Sequence, residues 1–467
     1  MSLPLHLLLR LAGSEAPLLR EVDLERTQPP VSTPPAEEDA LKGVLASLTR
    51  SSTSLPHQRW GLVVPEGTEG DALLTALAPL VRLREEQQGA AARVYRVPPN
   101  QDEAAALSWC NSHYEAEDVP LRERPRYLLI AGTPRSVSLS LQQALGERAY
   151  VGRIGFDPPA GYATYAEKVC RWARHPHAHQ GKLRLLTVRD GTAATREGLR
   201  NLIKPCHASS TSLTQLEVIP REEAGLAASN RQAFLDALSV NEAPSVLMTV
   251  SHGVGVSRVD APSAAWQRER QGNMDWGAGQ EVGATEVRSK PFLPGGIWLY
   301  FACFGAGTPV HSDYFPWLDT LSRSTWAGYD AQSVLSTLAS AQEGPFLSAL
   351  TQAALANTEG PLAIMAHLDL AWSMSFMDPE GAFPNRASRF FEPLLALDDG
   401  GRVGVAHFAL QQHARNIAAL LVLRAKASRA PPDAREAILW MMWRDLRNFV
   451  LLGDPACQLP VAASQTL

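Results

Sequence analysis

The chain has 467 residues and a formal net charge of −5 at pH 7, with 43 Lys and Arg against 48 Asp and Glu. That length suits two units of roughly 200 residues, each able to bury a sizeable core. The basic residues are spread along the chain without a run, so nucleic acid is not an expected partner. No stretch approaches the roughly 18 uninterrupted apolar residues of a membrane span. We therefore expect a soluble protein.

The opening stretch, Met1 to Leu11, is predicted to be a first strand. It carries His6 and Arg10 within an apolar run and lacks the charged start and cleavage site of a signal peptide. The five cysteines are odd in number and far apart, at Cys110, Cys170, Cys206, Cys303 and Cys457. This pattern fits neither a disulfide framework nor a zinc site, so a reducing, cytoplasmic setting is expected.

Short apolar runs recur, each followed by a turn signal and a segment of helical period. This alternation is typical of a parallel β-sheet covered by helices, so the predicted fold class is α/β. The predicted strands are Gly61–Val64, Tyr127–Ala131, Leu183–Val188, Val246–Val250, Ile297–Ala302, Leu362–Met365 and Phe449–Leu452. The predicted helices include 73–83, 229–238, 405–427 and 432–446.

Two stretches are predicted to be linkers. Residues 27–40 contain four prolines and cannot hold a regular element. A softer break falls at 208–212, where small hydroxylated residues separate two strand-and-helix series. The chain is therefore divided into residues 1–211 and 212–467, with the chemistry expected in the second part.

Two strands in the second part each stop on a residue that can do chemistry. The strand from Val246 ends in Ser-His252-Gly253, and the strand from Ile297 ends in Ala-Cys303-Phe-Gly305. Ligands of a parallel α/β sheet bind outside the carboxyl ends of its strands, so the thiol and the imidazole are expected at one edge. A cysteine protease needs this pairing, because His lowers the pKa of the thiol and later protonates the leaving amine.

Each residue also has a structural reading. A lone Cys at a strand end is usually a packing residue, and a lone His beside Gly usually belongs to a turn. The joint pattern favours chemistry, because the two residues are 51 positions apart, close to the caspase spacing of about 50. Glycine beside each leaves backbone N–H groups free to form an oxyanion hole.

These blocks resemble the caspase-like clan of peptidases, which includes caspases, separases, gingipains and bacterial CHAT proteases. The histidine-glycine pair after one apolar strand and FACFGAGTP after the next look like the catalytic blocks of the CHAT and gingipain members. Three further stretches are similar to other parts of such enzymes: PRYLLIAGTP with YVGRIGFD, PLAIMAHLDLAW, and NFVLLGDPACQLP. The resemblance runs from about residue 120 to the end.

The resemblance implies a caspase-like three-layer α/β sandwich with a mostly parallel sheet and two subdomains, the first without a catalytic pair. It implies that His252 is the general base, that Cys303 is the nucleophile, and that Gly253 and Cys303 supply the oxyanion-hole N–H groups. The expected activity is that of a cysteine endopeptidase without a metal or organic cofactor. The alternative is a catalytically silent interaction module of the same fold.

The same resemblance implies a protein substrate, with a gasdermin-like effector of a bacterial defence or programmed-death system as one example. It also implies a separate activator protein or ligand. Neither nucleic acid nor a membrane is an expected partner.

Four further residues are candidates for the substrate cleft. Asp369 could place a carboxylate in the pocket for the residue preceding the cut, favouring Arg or Lys, or it could cap the segment leading to Trp372. Trp372 could wall the pocket in either case. His311 and Asp313 could line the cleft or form a polar turn that enters a helix.

Two other stretches were weighed. Three imidazoles at His175, His177 and His179 lack an accompanying carboxylate or thiolate at ligand spacing, which favours a solvated loop over a metal site. Residues 256–290 show little regular period, so we predict a long, mobile loop bordering the cleft.

Overall fold

A computed structural model describes residues 5–19, 22–23, 27, 29, 51–176, 180–219, 227–228, 230–240, 243–325, 327–377, 385–427 and 433–461. Most of the linker predicted at 27–40 lies outside these residues, as do His177 and His179. Within the described part, no helix is both long enough and apolar enough to cross a membrane.

The chain is an α/β protein, and the seven predicted strands are confirmed to within about two residues at each end. In chain order the strands are β1 Leu9–Leu11, β2 Trp60–Pro65, β3 Arg93–Val97, β4 Tyr127–Ala131, β5 Tyr150–Ile154, β6 Gly181–Val188, β7 Leu216–Ile219, β8 Ala227–Ala228, β9 Ser245–Val250, β10 His252–Gly255, β11 Met274–Gly277, β12 Gln280–Val282, β13 Ile297–Phe301, β14 Gly307–Thr308, β15 Phe346–Leu347, β16 Ala363–His367 and β17 Phe449–Gly453.

Helices separate the strands and cover the sheet, as the helical periods predict. The described α-helices are α1 Leu55–Gln58, α2 Gly67–Ala76, α3 Ala78–Gln88, α4 Glu103–Trp109, α5 Leu139–Gly146, α6 Ala160–Arg174, α7 Ala193–Gly198, α8 Lys204–Ser209, α9 Arg231–Ser239, α10 Ala264–Arg270, α11 Ala284–Arg288, α12 Phe315–Ser322, α13 Gly328–Ser336, α14 Ala349–Ala356, α15 Ser388–Asp398, α16 Val403–Ala427 and α17 Ala434–Arg447.

The large sheet has eleven strands among the described residues, in the order β3-β2-β4-β5-β17-β16-β13-β9-β6-β7, with β8 also beside β6. Neighbours are parallel throughout except at β16 and β17, which pair antiparallel. The sheet therefore consists of two parallel sets that run in opposite directions. The first parallel set is β3-β2-β4-β5-β17, and the second is β16-β13-β9-β6-β7 together with β8. Strands on either side of residue 211, β6 and β9, lie side by side in one of these sets.

A smaller four-stranded sheet, β1-β10-β11-β12, forms beyond the end of β9. Two of its strands, β11 and β12, belong to the 256–290 segment, which was predicted to be irregular but also contains α10 and α11. The prediction of irregular structure failed because each element there is short, and because β11 and β12 form by pairing with β10 and with each other. The first strand belongs to this small sheet and not to the large one.

A buried ion pair fixes the end of β17 to helix α3. Arg84 of α3 donates from Nε to Asp454 Oδ2 at 2.8 Å, and both side chains are almost fully buried. Asp454 also accepts from Trp60 Nε1 and from the backbone N–H of Ala456, each at 3.0 Å. The buried Asp454 carboxylate therefore has several hydrogen-bond and ion-pair partners, as burial of a charged group requires.

Removing one partner leaves the other charge buried without compensation. We expect Asp454→Ala to lower the free energy of unfolding by about 3–5 kcal/mol. The matched control is Asp71→Ala, which breaks the exposed pair with Arg96 and should change stability by about 1 kcal/mol or less. Urea unfolding followed by tryptophan fluorescence measures both, and equal shifts in the two variants would contradict the assignment.

Candidate active site

Four polar side chains follow four neighbouring strands of the second parallel set. Asp190, His252, Cys303 and Asp369 each stand two residues beyond the last residue of β6, β9, β13 and β16. These strands are adjacent and parallel in the order β16-β13-β9-β6. The carboxyl ends of parallel strands lie at one edge, so the topology gathers these residues where α/β proteins bind their ligands.

The Cys303 thiol is fully buried in this conformation. Its Sγ accepts a hydrogen bond from the Ala371 N–H at 3.1 Å and lies 3.6 Å from the Ala371 carbonyl oxygen. Burial raises the pKa of Cys303 well above its usual value. The expected lowering of this pKa by His252 is therefore not seen while the thiol is covered, because desolvation and the neighbouring Asp445 and Asp369 all raise it.

The His252 ring is also buried, and its hydrogen bonds define which nitrogen carries the proton. Nε2 lies 3.0 Å from Thr192 Oγ1 and 3.6 Å from Asp190 Oδ2. The Thr192 hydroxyl donates its one proton to Asp190 Oδ1 at 2.9 Å, so it accepts from His252 Nε2–H. Burial lowers the pKa of His252 to about 4, which leaves a neutral imidazole at pH 7. Its Nδ1 has no hydrogen-bond partner among the described residues and is free to take a proton.

Asp190 is the member of the site that was not predicted. Its Oδ1 accepts from the Thr195 hydroxyl at 2.6 Å and from the Thr192 backbone N–H at 3.0 Å. Although burial opposes ionisation, His252 and these donors lower the pKa of Asp190. The carboxylate therefore orients His252, directly and through Thr192. The sequence carries a signal for it, because Asp190 and Gly191 follow an apolar strand just as His252 and Gly253 do.

Two backbone N–H groups meet at one oxygen atom. Gly253 and Cys303 both donate to the carbonyl oxygen of Leu8, at 2.9 Å and 3.3 Å. Gly253 packs so closely that an added Cβ would collide with the Cys303 carbonyl oxygen, so no larger residue fits there. The two predicted oxyanion-hole residues are therefore brought together around a peptide carbonyl.

Asp369 lies at the same edge, but its carboxyl group is engaged locally. Oδ2 accepts from the Ser312 hydroxyl and the Asp313 N–H, each at 2.8 Å. Burial and the neighbouring Asp313 raise the pKa of Asp369 to about 7. The group thus supports the 312–313 turn and is partly protonated at neutral pH, while its Oδ1 has no hydrogen-bond partner among the described residues.

The other substrate-site candidates fall into two groups. Trp372 is fully buried, pairs with Leu7 through a backbone bridge, and packs its ring 5.2 Å from that of Trp317. Asp313 instead forms an ion pair with Arg444 at 2.7 Å, and exposed His311 packs near Phe315 as the chain enters α12. Of these three residues, it is Trp372 whose described contacts reach residues 5–11, the segment in which Leu8 accepts from the Cys303 N–H.

The loop that contains Trp372 is held by a buried carboxylate. Asp445 of α17 accepts from the Trp372 N–H at 3.0 Å, from the Tyr314 hydroxyl at 3.3 Å, and from the Ser375 hydroxyl. The same aspartate lies 3.3 Å from His367 Nε2. This network fixes the position of residues 369–375 relative to the end of β13.

Within the described residues, no group of three His, Cys, Asp or Glu side chains could hold a metal ion.

Comparisons with known proteins add a limited likeness. No protein-family model and no curated protein matches the sequence. Among solved structures, the chain is similar to the Arg-specific cysteine proteinase gingipain R, with 12% identity and a TM-score of 0.43 over 86% of this chain and 78% of that one. A second match, Rp1789 of Rhodopseudomonas palustris, has 13% identity and a TM-score of 0.15 over 83% of this chain and 87% of that one. At such identities, activity has to be argued from the residues of this chain.

The raised pKa of Asp369 predicts a pH-dependent contribution to stability. A carboxyl group whose pKa is higher in the folded state stabilises the fold below its unfolded value of 3.8, and this contribution is lost as pH rises through about 7. At about 1.4 kcal/mol per pKa unit, the loss is on the order of 4 kcal/mol. Asp369→Asn cannot ionise, so the difference between wild type and variant should change by that amount between pH 4 and pH 7.

Thermal or urea unfolding at several pH values measures this difference. The control is Asp319→Asn, which removes an exposed partner of Arg323 and should run parallel to wild type. A constant offset between Asp369→Asn and wild type over this range would show that Asp369 is already ionised in the fold.

Proposed function

We propose that this chain is a cysteine endopeptidase of the caspase-like clan, with Cys303 as nucleophile and His252 as general base. The observation that supports this most is the pair of N–H groups, from Gly253 and from Cys303 itself, that hold one peptide carbonyl oxygen. Such a pair of preorganised donors beside a thiol is what stabilises the tetrahedral intermediate of acyl transfer.

The proposed reaction passes one proton between the Cys303 thiol and the His252 imidazole. The Cys303 thiol gives its proton to Nδ1 of His252, and Sγ forms a bond to the substrate carbonyl carbon while the carbonyl electrons move to oxygen. That oxygen is held by the two N–H groups. The C–N bond then breaks as the imidazolium returns its proton to the departing amine. Water hydrolyses the thioester with the same histidine as base, which releases the acid product and restores the thiol.

Asp190 and Thr192 act as positioning residues. They hold the proton on Nε2 of His252, which keeps Nδ1 basic, and the ionised Asp190 stabilises the imidazolium that forms. This is the role of the third member of a catalytic triad. Its contribution to the chemical step is to the pKa and orientation of His252.

The biological setting is proposed on the sequence resemblance alone. The substrate would be a protein chain, such as a gasdermin-like effector of a bacterial defence system, and a separate protein or ligand would activate the enzyme. Residues 1–211 would act largely as scaffold. The competing proposal is a non-catalytic interaction module, which the covered, neutral thiol of this conformation favours.

The test uses a chain whose site can be opened. Gly13 to Ala16 form a largely exposed turn, so the recognition sequence of a site-specific protease is inserted there and cut before assay; we call the product the opened chain. The opened chain should hydrolyse fluorogenic peptides, and Cys303→Ala and His252→Ala should each reduce kcat by roughly 10³-fold or more. With a peptide that has no basic residue after the cut bond, Asp190→Asn should reduce kcat by roughly 10²-fold or more with little change in KM.

The matched controls are Cys110→Ala, Cys170→Ala, Cys206→Ala and Cys457→Ala, all expected to remain active. Alkylation of Cys303 by iodoacetamide reports separately whether the thiol is accessible. An opened chain whose Cys303 is alkylated rapidly, but which hydrolyses no peptide, would contradict the proposal and favour the interaction module.

Gly253→Ala tests the oxyanion hole itself. The added Cβ pushes the residue away from Cys303 and displaces one of the two N–H donors, so kcat of the opened chain should fall by about 10²- to 10³-fold. Gly146→Ala is the control, because its Cβ meets nothing within 4 Å, and it should retain wild-type kcat. Unchanged turnover in Gly253→Ala would remove the hole from the mechanism.

A further inference from the structure

Residues 5–11 run through the candidate active site in an extended conformation. On one side of Leu8, the chain pairs antiparallel with the loop after β16. Leu8 N–H donates to the Ala371 carbonyl oxygen at 2.9 Å, Ser373 N–H donates to the His6 carbonyl oxygen at 3.0 Å, and His6 N–H donates to Ser373 Oγ at 3.0 Å. Leu7 and Trp372 form the bridge between these contacts.

On the other side of Leu8, the chain pairs with a different strand. Residues 9–11 form β1, which is parallel to β10 in the register Leu9 to Gly253, Arg10 to Val254 and Leu11 to Gly255. The Leu8 carbonyl group lies where the chain passes from one partner to the other. Its oxygen is the one held by the Gly253 and Cys303 N–H groups.

This arrangement is that of a bound peptide substrate. Backbone pairing to a sheet edge supplies affinity without regard to side chains, and the carbonyl group in the oxyanion hole identifies the bond that would be cut. Residues 5–8 take the positions before that bond, and residues 9–11 the positions after it. The bond from the Gly253 N–H continues the parallel pairing of β1 with β10, whereas the bond from the Cys303 N–H brings a further segment to the same oxygen.

We propose that residues 5–11 are an internal, substrate-like occupant of the cleft that keeps the enzyme closed, and that they define the class of protein chain it cleaves. This rests on the proposed function. The preferred substrate has an aliphatic residue immediately before the cut bond, as Leu8 is, and a basic residue two positions after the bond, as Arg10 is.

The preference before the bond follows from the surroundings of Leu8. Its side chain is fully buried within the main apolar core. The carboxyl group of Asp369, two residues before Ala371, accepts from Ser312 and Asp313 through Oδ2, while its Oδ1 has no hydrogen-bond partner among the described residues. A cation in place of Leu8 would lose its hydration within this apolar core, which costs more than the apolar contacts it replaces.

The preference after the bond follows from two carboxylates. Arg10 pairs through Nη2 with Asp190 at 3.0 Å and through Nη1 with Asp275 at 2.7 Å, and all three side chains are nearly buried. Asp275 is aligned with His252 in the pairing of β10 with β11. Arg10 and His252 both contact Asp190. The bound strand therefore also interacts with the carboxylate that orients the proposed base. When the strand leaves, Asp190 would lose Arg10 and keep its contacts with His252, Thr192 and Thr195.

Charge reversal at Arg10 tests the occupancy in the full chain. Arg10→Glu places a third carboxylate beside Asp190 and Asp275 and should expel the strand, whereas Arg10→Lys keeps the cation and is the matched control. We expect alkylation of Cys303 by iodoacetamide, followed by mass spectrometry, to be at least tenfold faster in Arg10→Glu than in wild type. Arg10→Lys should resemble wild type. The opened chain provides the same comparison without a substitution at Arg10, should Arg10→Glu not fold.

Peptide hydrolysis then reports the substrate class. An internally quenched peptide with the sequence of residues 5–11 should be cut between the residues equivalent to Leu8 and Leu9. Replacing the Leu8 equivalent by Arg or Asp, or the Arg10 equivalent by Glu, should reduce kcat/KM at least tenfold.

The outcomes separate this inference from the proposed function. Equal alkylation and equal hydrolysis in wild type, Arg10→Glu and the opened chain would overturn the occupancy while leaving a protease. A preference for Arg before the cut, or cleavage at another bond of the peptide, would overturn the substrate class. Rapid alkylation without hydrolysis of any peptide would overturn the proposed function itself.

Discussion

The site depends on the contact between two backbones, at Gly253 and at Cys303. Their N–H groups converge on one oxygen only because β9 and β13 are adjacent and parallel, and because residue 253 has no side chain to keep the two segments apart. The positions of the proposed nucleophile, the proposed base and the carboxylate beside it then follow from the same geometry, since each stands two residues beyond the end of its strand. A fold that did not place these strands side by side would scatter the same residues.

Two buried carboxylates at this edge of the sheet, Asp190 and Asp445, have several hydrogen-bond or ion-pair partners. These partners hold the proposed catalytic residues and the loop beside them in position. Asp190 is surrounded by the hydroxyl groups of Thr192 and Thr195, by His252 and by Arg10. Asp445 gathers donors from the loop that carries Trp372 and from the turn before α12. Each carboxylate would be expensive to bury alone, so its donors and its position are fixed together. Residues 5–11 are held at this edge by backbone pairing and by the ion pairs of Arg10.

The sequence predicted the parallel sheet and the pair His252 and Cys303 for one physical reason. Apolar runs of strand length that end on a reactive residue and a glycine are local patterns, and the shared edge of a parallel sheet turns them into neighbours. Asp190 shows the limit of this argument. It follows the same pattern, but an Asp-Gly pair is also a common turn signal, and only the tertiary pairing of β6 with β9 brings it to His252.

Other features of the fold could not be predicted from the sequence, because they depend on which strands pair in the tertiary structure. Met1 to Leu11 has the composition of any buried strand, so nothing local distinguishes a strand of the large sheet from one that lies in the cleft. The antiparallel junction of β16 and β17 cannot be derived from two apolar runs. For Asp369, the sequence left a pocket role and a structural role open, and the contacts with Ser312 and Asp313 favour the structural one.

The most direct measurement is a crystal structure of the opened chain treated with a peptide aldehyde of the sequence Leu-His-Leu-leucinal. Addition of the Cys303 thiol to the aldehyde carbon would form a hemithioacetal. We expect that bond on Sγ, with the hemithioacetal oxygen between the N–H groups of Gly253 and Cys303. We also expect the peptide backbone to pair with Ala371 and Ser373 in place of residues 5–8. An aldehyde bound elsewhere, or an unmodified Cys303 in an open and accessible cleft, would contradict it.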